Sequence, residues 1–423
     1  YVLSTVQQLD EDFLQTLAPE DYSIYVFLDI GSGQLSLVHK YLKDKTVIIL
    51  DHHEIDNGHN CHDWDSLHHL NPHLVTINGS SEISGAGVVY HFIKALDPAH
   101  KNMAHIALLG AIGDIQEVNG FSDINTSILQ DAVEAGKIKH ITGLRLFGVQ
   151  TKPLHKVLEY TTDPYIPGVS GSETGAIQFL QELGINPRIG DNGWRKLIHL
   201  SDDELKRLVT GIILKRQDEK KPEDVLGSVY LLTEEPRESP TRDAREYSTL
   251  LNACGRMDKA YLGIGTCLGD PKLKRDALSC LTSYKKEIIA SLRWYEENQD
   301  SPSVIRTPEY LILNTGTEVR HTVIGTLASI VSRSDKLNEG MLILSLGRTP
   351  KGDTKVSLRL GGRNNNDINL RNVVDTMITT LGTGEAGGHM NAAGALIPAE
   401  READFIAIAQ EVMRKIAVEE IVK

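Results

Sequence analysis

Two short apolar runs near the start of the chain stop abruptly at an acid: SIYVFLDIGSG (23–33) and TVIILDHH (46–53). Unbroken apolar runs of strand length suit a parallel sheet that is covered on both faces. Between them, SLVHKYLKD (36–44) has the spacing of a short helix, so a strand, helix, strand unit is predicted. GAGVVYHFIKAL (85–96) and NMAHIALLGAIGDI (102–115) have helical length and apolar periodicity. Residues 1–150 are therefore expected to form a doubly wound α/β domain with a parallel sheet.

The texture then changes. From about 125 to 225 helical patterns are broken by TTDPYIPGVSGSETG and INPRIGDNGW, so 151–225 is expected to be a mostly helical connector. The charge-dense LKRQDEKKPED (214–224) reads as a solvated helix end and linker. A second α/β domain is predicted over 226–423, with a cleft between it and the first. Its expected strands are GSVYLLTEE (227–235), YLGIGTCLGD (261–270), YLILNT (310–315), MLILSL (341–346) and TKVSLRL (354–360), followed by a closing helix in the last 20 residues. Residues 271–298 predict a long amphipathic helix, with Asp270 as its cap and Pro271 in its first turn. Ala277, Leu281, Tyr284, Ile288, Leu292 and Tyr295 share one face and are expected to pack.

At 423 residues, with 40% hydrophobic positions, the chain can bury two or three cores. A net charge of −13 argues against a broad surface that coats nucleic acid. It leaves room for a local basic groove, and it fits a carboxylate site that binds cations. The four cysteines form no C-x-x-C pair and predict reduced thiols in a cytoplasmic protein. No run of about 18 apolar residues is present, so no membrane span is expected. The sequence opens on Tyr1, and the natural N-terminus is expected to lie upstream.

The candidate chemistry lies where the strands end, because ligands of open α/β sheets gather beyond the carboxyl ends. Asp29 and Asp51 are expected on one rim, His52 and His53 follow Asp51 directly, and Asp114 ends an apolar helix. Carboxylate oxygen mixed with imidazole nitrogen suits Mn²⁺, Mg²⁺ or Zn²⁺. Two such ions serve phosphodiester hydrolysis by activating water and offsetting phosphate charge. A second signal is GEAGGHMNAAGALIP (384–398), a glycine-rich turn in which Gly387, Gly388 and Gly394 let the backbone approach a ligand and His389 can touch an anion. Arg359 and Arg363 are candidate phosphate forks. Plainer readings exist: Asp51 as a turn cap, the histidines as surface residues, and Arg359 as a partner of a local acid. His59, Cys61 and His62 match no closed zinc pattern and are expected in a solvated loop. Trp64, Trp194 and Trp294 are expected as packing anchors, and Glu82 and Glu117 as surface groups beside the rim.

Together LDIGSG, DHH, GAIGD and GGHMNAAG, in that order, resemble the DHH phosphoesterase superfamily over nearly the whole chain. RDAREYSTLLNACGR (242–256), LNP (70–72) and SGAGV (84–88) are most similar to the archaeal RecJ-like nucleases, including the GINS-associated nuclease. The resemblance implies a DHH catalytic domain and a DHH-associated substrate domain. It implies Asp29, His52 and Asp114 as metal ligands, and Asp51 and His53 as catalytic groups, with His53 nearer the scissile phosphate. Arg359, Gly387, Gly388, His389 and Gly394 would bind substrate. It further implies two Mn²⁺ (or Mg²⁺) ions, 5′ to 3′ hydrolysis of single-stranded DNA and also RNA, and a role in replication or repair with GINS as a partner docked on 151–225. One part departs from the family: no D-A-D-G-like motif lies in residues 1–28. The expected account is that roughly 50 residues, one strand and helix, precede Tyr1; without them one ion would be poorly held. The alternatives are a replicative-helicase scaffold subunit of the same fold, and a phosphodiesterase of short oligoribonucleotides or cyclic dinucleotides.

Overall fold

Both acid-terminated runs form strands of one parallel sheet. A computed structural model of the chain describes residues 2–6, 9–56, 64–118, 120–161, 164–190, 193–334, 337–362 and 368–421. After α1 (Glu11–Leu17), β1 (Tyr25–Leu28), α2 (Leu35–Leu42) and β2 (Val47–Leu50) make the expected unit. β3 (Leu67–Leu70) joins the far side of β2, giving the order β1-β2-β3. The register sets Leu28 opposite Leu50 and Leu50 opposite Leu70. The next residues, Asp29, Asp51 and Asn71, therefore leave the sheet side by side. Phe27, Ile49, Leu35 and Val38 fill one face, and Leu50, Ile83 and Val88 pack on the other.

Three helices follow: α3 (Gly85–Leu96), α4 (Ala104–Gly113) and α5 (Asp123–Glu134). β4 (Ile138–Leu144) then leads into a separate lobe made of α6 (Leu154–Tyr160), α7 (Glu173–Glu182), the short pair β5 (Arg188–Ile189) and β6 (Gly193–Trp194), and α8 (Asp202–Lys215). Leu154, Leu158, Phe179, Leu180, Leu208 and Ile212 give this lobe its own core. β7 (Leu226–Leu232) returns antiparallel to β4, so the lobe hangs on a two-stranded neck. The charged stretch after α8 is not simply solvated. Arg216 is buried and donates to the Tyr165 and Pro222 carbonyls, at 2.9 Å each, and to Asp224. This cation closes the lobe by satisfying part-buried carbonyls of two separate turns.

Next come α9 (Ala244–Arg256), α10 (Ala260–Cys267) and α11 (Pro271–Glu297). The expected strand at 261–270 is thus a helix. Short apolar runs do not separate the two periods, and here Leu262, Gly263, Gly265 and Thr266 turn inward against neighbouring helices. α4, apolar on all sides, is enclosed by α3, α5 and α9, as such a helix must be. Asp270 caps α11 by accepting from the Lys272 and Leu273 amides, and the predicted stripe from Ala277 to Tyr295 packs into the same core.

The second sheet starts only at β8 (Val304–Arg306), because the strand at 226–232 pairs with β4 instead. It continues with β9 (Tyr310–Asn314), then α12 (Ile324–Val331), β10 (Leu342–Arg348), β11 (Asp353–Leu360), α13 (Leu370–Leu381), β12 (Glu385–His389), β13 (Ala392–Pro398) and α14 (Glu402–Ile421). The strand order is β12-β13-β11-β10-β9-β8, with β9 and β10 parallel and the other pairs antiparallel. The glycine-rich segment is a β-hairpin and not an open turn. An added Cβ would lie 2.4 Å from the Ala392 carbonyl oxygen at Gly388 and 2.5 Å from that of Val356 at Gly394. Strand packing alone therefore demands these glycines. Trp64 and Trp294 are core residues, as expected, whereas Trp194 is sandwiched between Arg188 and the His155 ring. No helix among the described residues is long and apolar enough to cross a membrane.

Where α9 meets the neck, Glu246 is 6% exposed and accepts from Thr151 Oγ1 at 2.8 Å, and its Oε1 has no hydrogen-bond partner among the described residues. Burial pushes its carboxyl up to about 7, from an ordinary value near 4.5. The fold thus holds a proton that the unfolded chain releases first, and stability falls as pH rises from 4.5 to 7. Glu246→Gln is expected to flatten that fall, measured as melting temperature against pH for both proteins.

Candidate metal centre

The turn that follows β1 sets the first candidate ligand. Asp29 has φ +61°, a left-handed conformation that Asp tolerates better than most residues, and its amide donates to the Leu50 carbonyl at 2.9 Å. Gly85, the first residue of α3, backs its side chain: an added Cβ would lie 2.1 Å from Asp29 Oδ1. The helix start therefore presses against the carboxylate and directs it toward His52.

His52 is buried, and its Nδ1 lies 2.8 Å from the Gly79 carbonyl and 3.1 Å from that of Ile83. Carbonyls only accept, so Nδ1 carries the proton. Nε2 then points at Asp29 Oδ1, 3.2 Å away, and at Asp114 Oδ2, 3.7 Å away. A neutral imidazole would turn a lone pair toward two carboxylates, which is balanced only by a proton or a metal cation at that point. Burial opposes the charge, yet the hydrogen bond to Asp29 and the charges of Asp29 and Asp114 raise His52 to about 9. Asp114 reaches solvent in part. The walls of the cleft still desolvate it and raise it to about 6, with Asp29 adding to the rise and His52 opposing it.

Asp51 is fully buried and differs in kind. Oδ2 accepts from the Ser32 amide at 2.9 Å, while Oδ1 accepts from the His52 amide at 2.7 Å and the His53 amide at 3.2 Å, and pairs with His53 Nδ1 at 2.7 Å. Burial works against its charge, but these bonds and His53 outweigh it and hold the carboxyl well below the usual range. Asp51 thereby orients His53 and is itself fully occupied.

The second domain reaches in through the hairpin. The His389 ring stacks on His53 at 4.8 Å and lies 5.4 Å from His52, and its Nδ1 meets Ser80 Oγ at 3.0 Å. Burial, with the charges of His53 and His52, lowers it to about 4. One ligand atom from each of His52, His53 and His389 falls within 4.8 Å of the others, and so do atoms of Asp29, Asp51 and His53. A cavity of about 1210 Å³ adjoins this centre, lined by Asp29, Asp51, His53, Gly387, Gly388, Gly394, Lys355 and Arg371.

The structure thus brings together Asp29, Asp51, His52, His53, Asp114 and His389. Arg359 stands apart from the cavity lining: its guanidinium donates to Ser329 Oγ at 3.0 Å and to the Leu358 carbonyl at 2.7 Å, bracing β11. Arg363, His59, Cys61 and His62 lie outside the described residues. Glu117 pairs with Arg245 at 2.6 Å, and Glu82 caps the Asn78 amide at 2.7 Å. Sequence reasoning missed Ser80, Lys355 and Arg371. Ser80 sits in an Asn-Gly-Ser-Ser turn with no periodicity, and Lys355 alternates with apolar residues along β11. Burial lowers Lys355 to about 8, helped by Arg256.

Residues 146–226 match the DHH-CID domain, and residues 309–415 match the DHHA1 domain. Both matched domains occur in the DHH phosphoesterase superfamily, which the chain resembles. Its architecture is RecJ-like, a parallel N-terminal sheet followed by a DHHA1 domain. This chain is 29% identical over 419 residues to the uncharacterised protein MJ0831 of Methanocaldococcus jannaschii, covering 97% of this chain and 86% of that one. CDC45 from Entamoeba histolytica has a similar fold, with a TM-score of 0.60 at 12% identity over 95% of this chain and 87% of that one. RecJ from Thermus thermophilus, solved in complex with Mn²⁺, gives 0.54 at 12% identity over 96% of this chain and 47% of that one, so this chain spans about half of its length.

The donor set fits a divalent cation: two carboxylates converge on an imidazole whose other nitrogen is fixed by carbonyls, the usual arrangement around a metal-bound histidine. Gly85→Ala tests it without touching a ligand. The added methyl is expected to displace Asp29 and weaken Mn²⁺ binding in calorimetry, while the circular dichroism spectrum stays that of a folded protein.

Proposed function

We propose that this chain is a divalent-metal-dependent phosphodiesterase that degrades single-stranded DNA, and RNA as a further substrate, exonucleolytically from the 5′ end during replication or repair. The observation that carries this reading is the convergence of Asp29 and Asp114 on Nε2 of His52 at 3.2 and 3.7 Å, beside a cavity lined by Lys355 and Arg371. Two Mn²⁺ ions, or Mg²⁺ in their place, suit the carboxylate and imidazole donors of Asp29, His52 and Asp114. Bound divalent ions supply an acidified water and offset phosphate charge.

The chain's own groups do the rest. Asp29, His52 and Asp114 would hold the cations, and Asp51 fixes the His53 ring. His53 and His389, stacked face to face, offer nitrogens toward the scissile phosphate. Lys355 and Arg371 draw the following phosphates into the cavity, along the backbone of Gly387, Gly388 and Gly394. In this reading 1–150 is the catalytic domain, 226–423 carries the substrate domain, and 151–225 docks a replisome partner such as GINS, in the cytoplasm. Support for partner docking comes from the lobe's own core and its narrow neck.

A scaffold subunit of the replicative helicase is the second reading, favoured by the CDC45 likeness, which extends over 87% of that chain. End-labelled single-stranded 20-mers with Mn²⁺ decide between the two readings. The proposal expects stepwise shortening from the 5′ end, abolished by Asp114→Ala and His52→Ala in folded proteins. His389→Ala is expected to raise KM more than it lowers kcat. Full Mn²⁺-dependent rates in either of the first two variants contradict the assignment, and faster cleavage of a dinucleotide than of the 20-mer moves it to a small-substrate enzyme.

A further inference from the structure

The segment 78–84 does two jobs. It offers the Gly79 and Ile83 carbonyls to Nδ1 of His52, and through Ser80 it holds His389 of the other domain. Gly79 lies so close to the His52 backbone that an added Cβ would come 1.9 Å from the His52 carbonyl oxygen. Something must hold this segment in place.

The holder is a buried amide. Gln116 is 6% exposed and donates through Nε2 to the Gly79 carbonyl at 3.0 Å. That carbonyl therefore accepts from both Gln116 and His52. The Gln116 Oε1 accepts from Asn125 Nδ2 at 2.9 Å, and Asn125 is fully buried on α5. The orientation follows from chemistry, because a flipped Gln116 would set its own oxygen against a carbonyl oxygen. A second tie from the same helix start supports the segment, Ser122 Oγ donating to the Glu82 carbonyl at 2.6 Å. Gln116 stands two residues after Asp114. One short turn thus carries a carboxylate that faces His52 and the amide that fixes the far side of the same ring.

We propose that Gln116 is a positioning residue of the metal centre: by locking the Gly79 carbonyl it fixes the His52 ring, and so aims Nε2 at the cation between Asp29 and Asp114. This rests on the metal-centre reading above and deepens it. Partners that orient a ligand ring set metal affinity by about 10–100-fold. Gln116 touches neither substrate nor cation. Its removal acts through the ring and leaves the ligand set intact.

The test is Mn²⁺ titration by calorimetry of wild type and Gln116→Met, which keeps the volume and removes the donor, with Gln116→Ala as a smaller second variant. The expected result is Mn²⁺ affinity weakened about 10–100-fold in both variants, with unfolding midpoints measured alongside. A second readout uses ¹⁵N-histidine NMR of the metal-free protein. The Nδ1–H of His52, sheltered by Gly79 in wild type, should exchange faster in Gln116→Met than the change in unfolding free energy accounts for, whereas a merely structural loss would speed it only by that amount. Unchanged Mn²⁺ affinity and an unchanged Nδ1–H signal in folded Gln116→Met overturn this inference alone. A wild-type protein that binds no Mn²⁺ overturns the metal-centre reading and this inference with it.

Discussion

The chemistry of this protein turns on one imidazole whose two nitrogens have been given opposite tasks. Nδ1 of His52 is committed to donating, because only carbonyls face it, and Nε2 is left to meet Asp29 and Asp114. Two carboxylates around a buried lone pair repel one another unless a positive charge sits among them. A proton on Nε2 supplies that charge in the metal-free protein, and in the proposed function a divalent cation would take its place. That need for charge also explains why Asp51 and His52, adjacent in the chain, behave so differently. The first spends its oxygens on amides and on His53, and the second is turned toward the acids.

Ordinary folding rules deliver these parts. Register aligns the ends of β1 and β2, so Asp29 and Asp51 emerge together. An all-apolar helix, α4, must be enclosed, and enclosing it between α3, α5 and α9 brings Asp114 at its end to the same rim. Glycine at the start of α3 leaves space for the Asp29 carboxylate. The second domain contributes through a hairpin tip, where His389 stacks on His53 and reaches Ser80. The cleft is thus closed by direct contact between the domains, and the cavity beside it gathers Lys355 and Arg371 from the far wall.

Much of this is legible in the residues because strong local signals coincide with simple topology. Unbroken β-formers ending in Asp29 and Asp51 specify the strands and their rim, helical periodicity specifies α3 and α11, and the length of its apolar run specifies α4. Other features depend on contacts that no local pattern carries. YLGIGTCLGD reads as a strand, yet packing against α9 and α11 makes it a helix. GSVYLLTEE reads as a strand, but nothing in it reveals that the partner is β4 across an inserted lobe. The roles of Ser80 and Gln116 arise from polar pairs far apart in sequence, which periodicity does not register. Arg216 reads as one member of a solvated charge run, and carbonyls from two turns draw it into the interior. Arg359 reads as a phosphate fork, and backbone oxygens of its own sheet occupy it.

The most direct measurement is anomalous diffraction at the manganese edge from crystals of the protein grown with Mn²⁺. The account predicts a strong peak within bonding distance of Asp29, Nε2 of His52 and Asp114, with Nδ1 still facing Gly79. A map with no peak there, or those three side chains found pointing apart in the Mn²⁺-treated crystal, would contradict it.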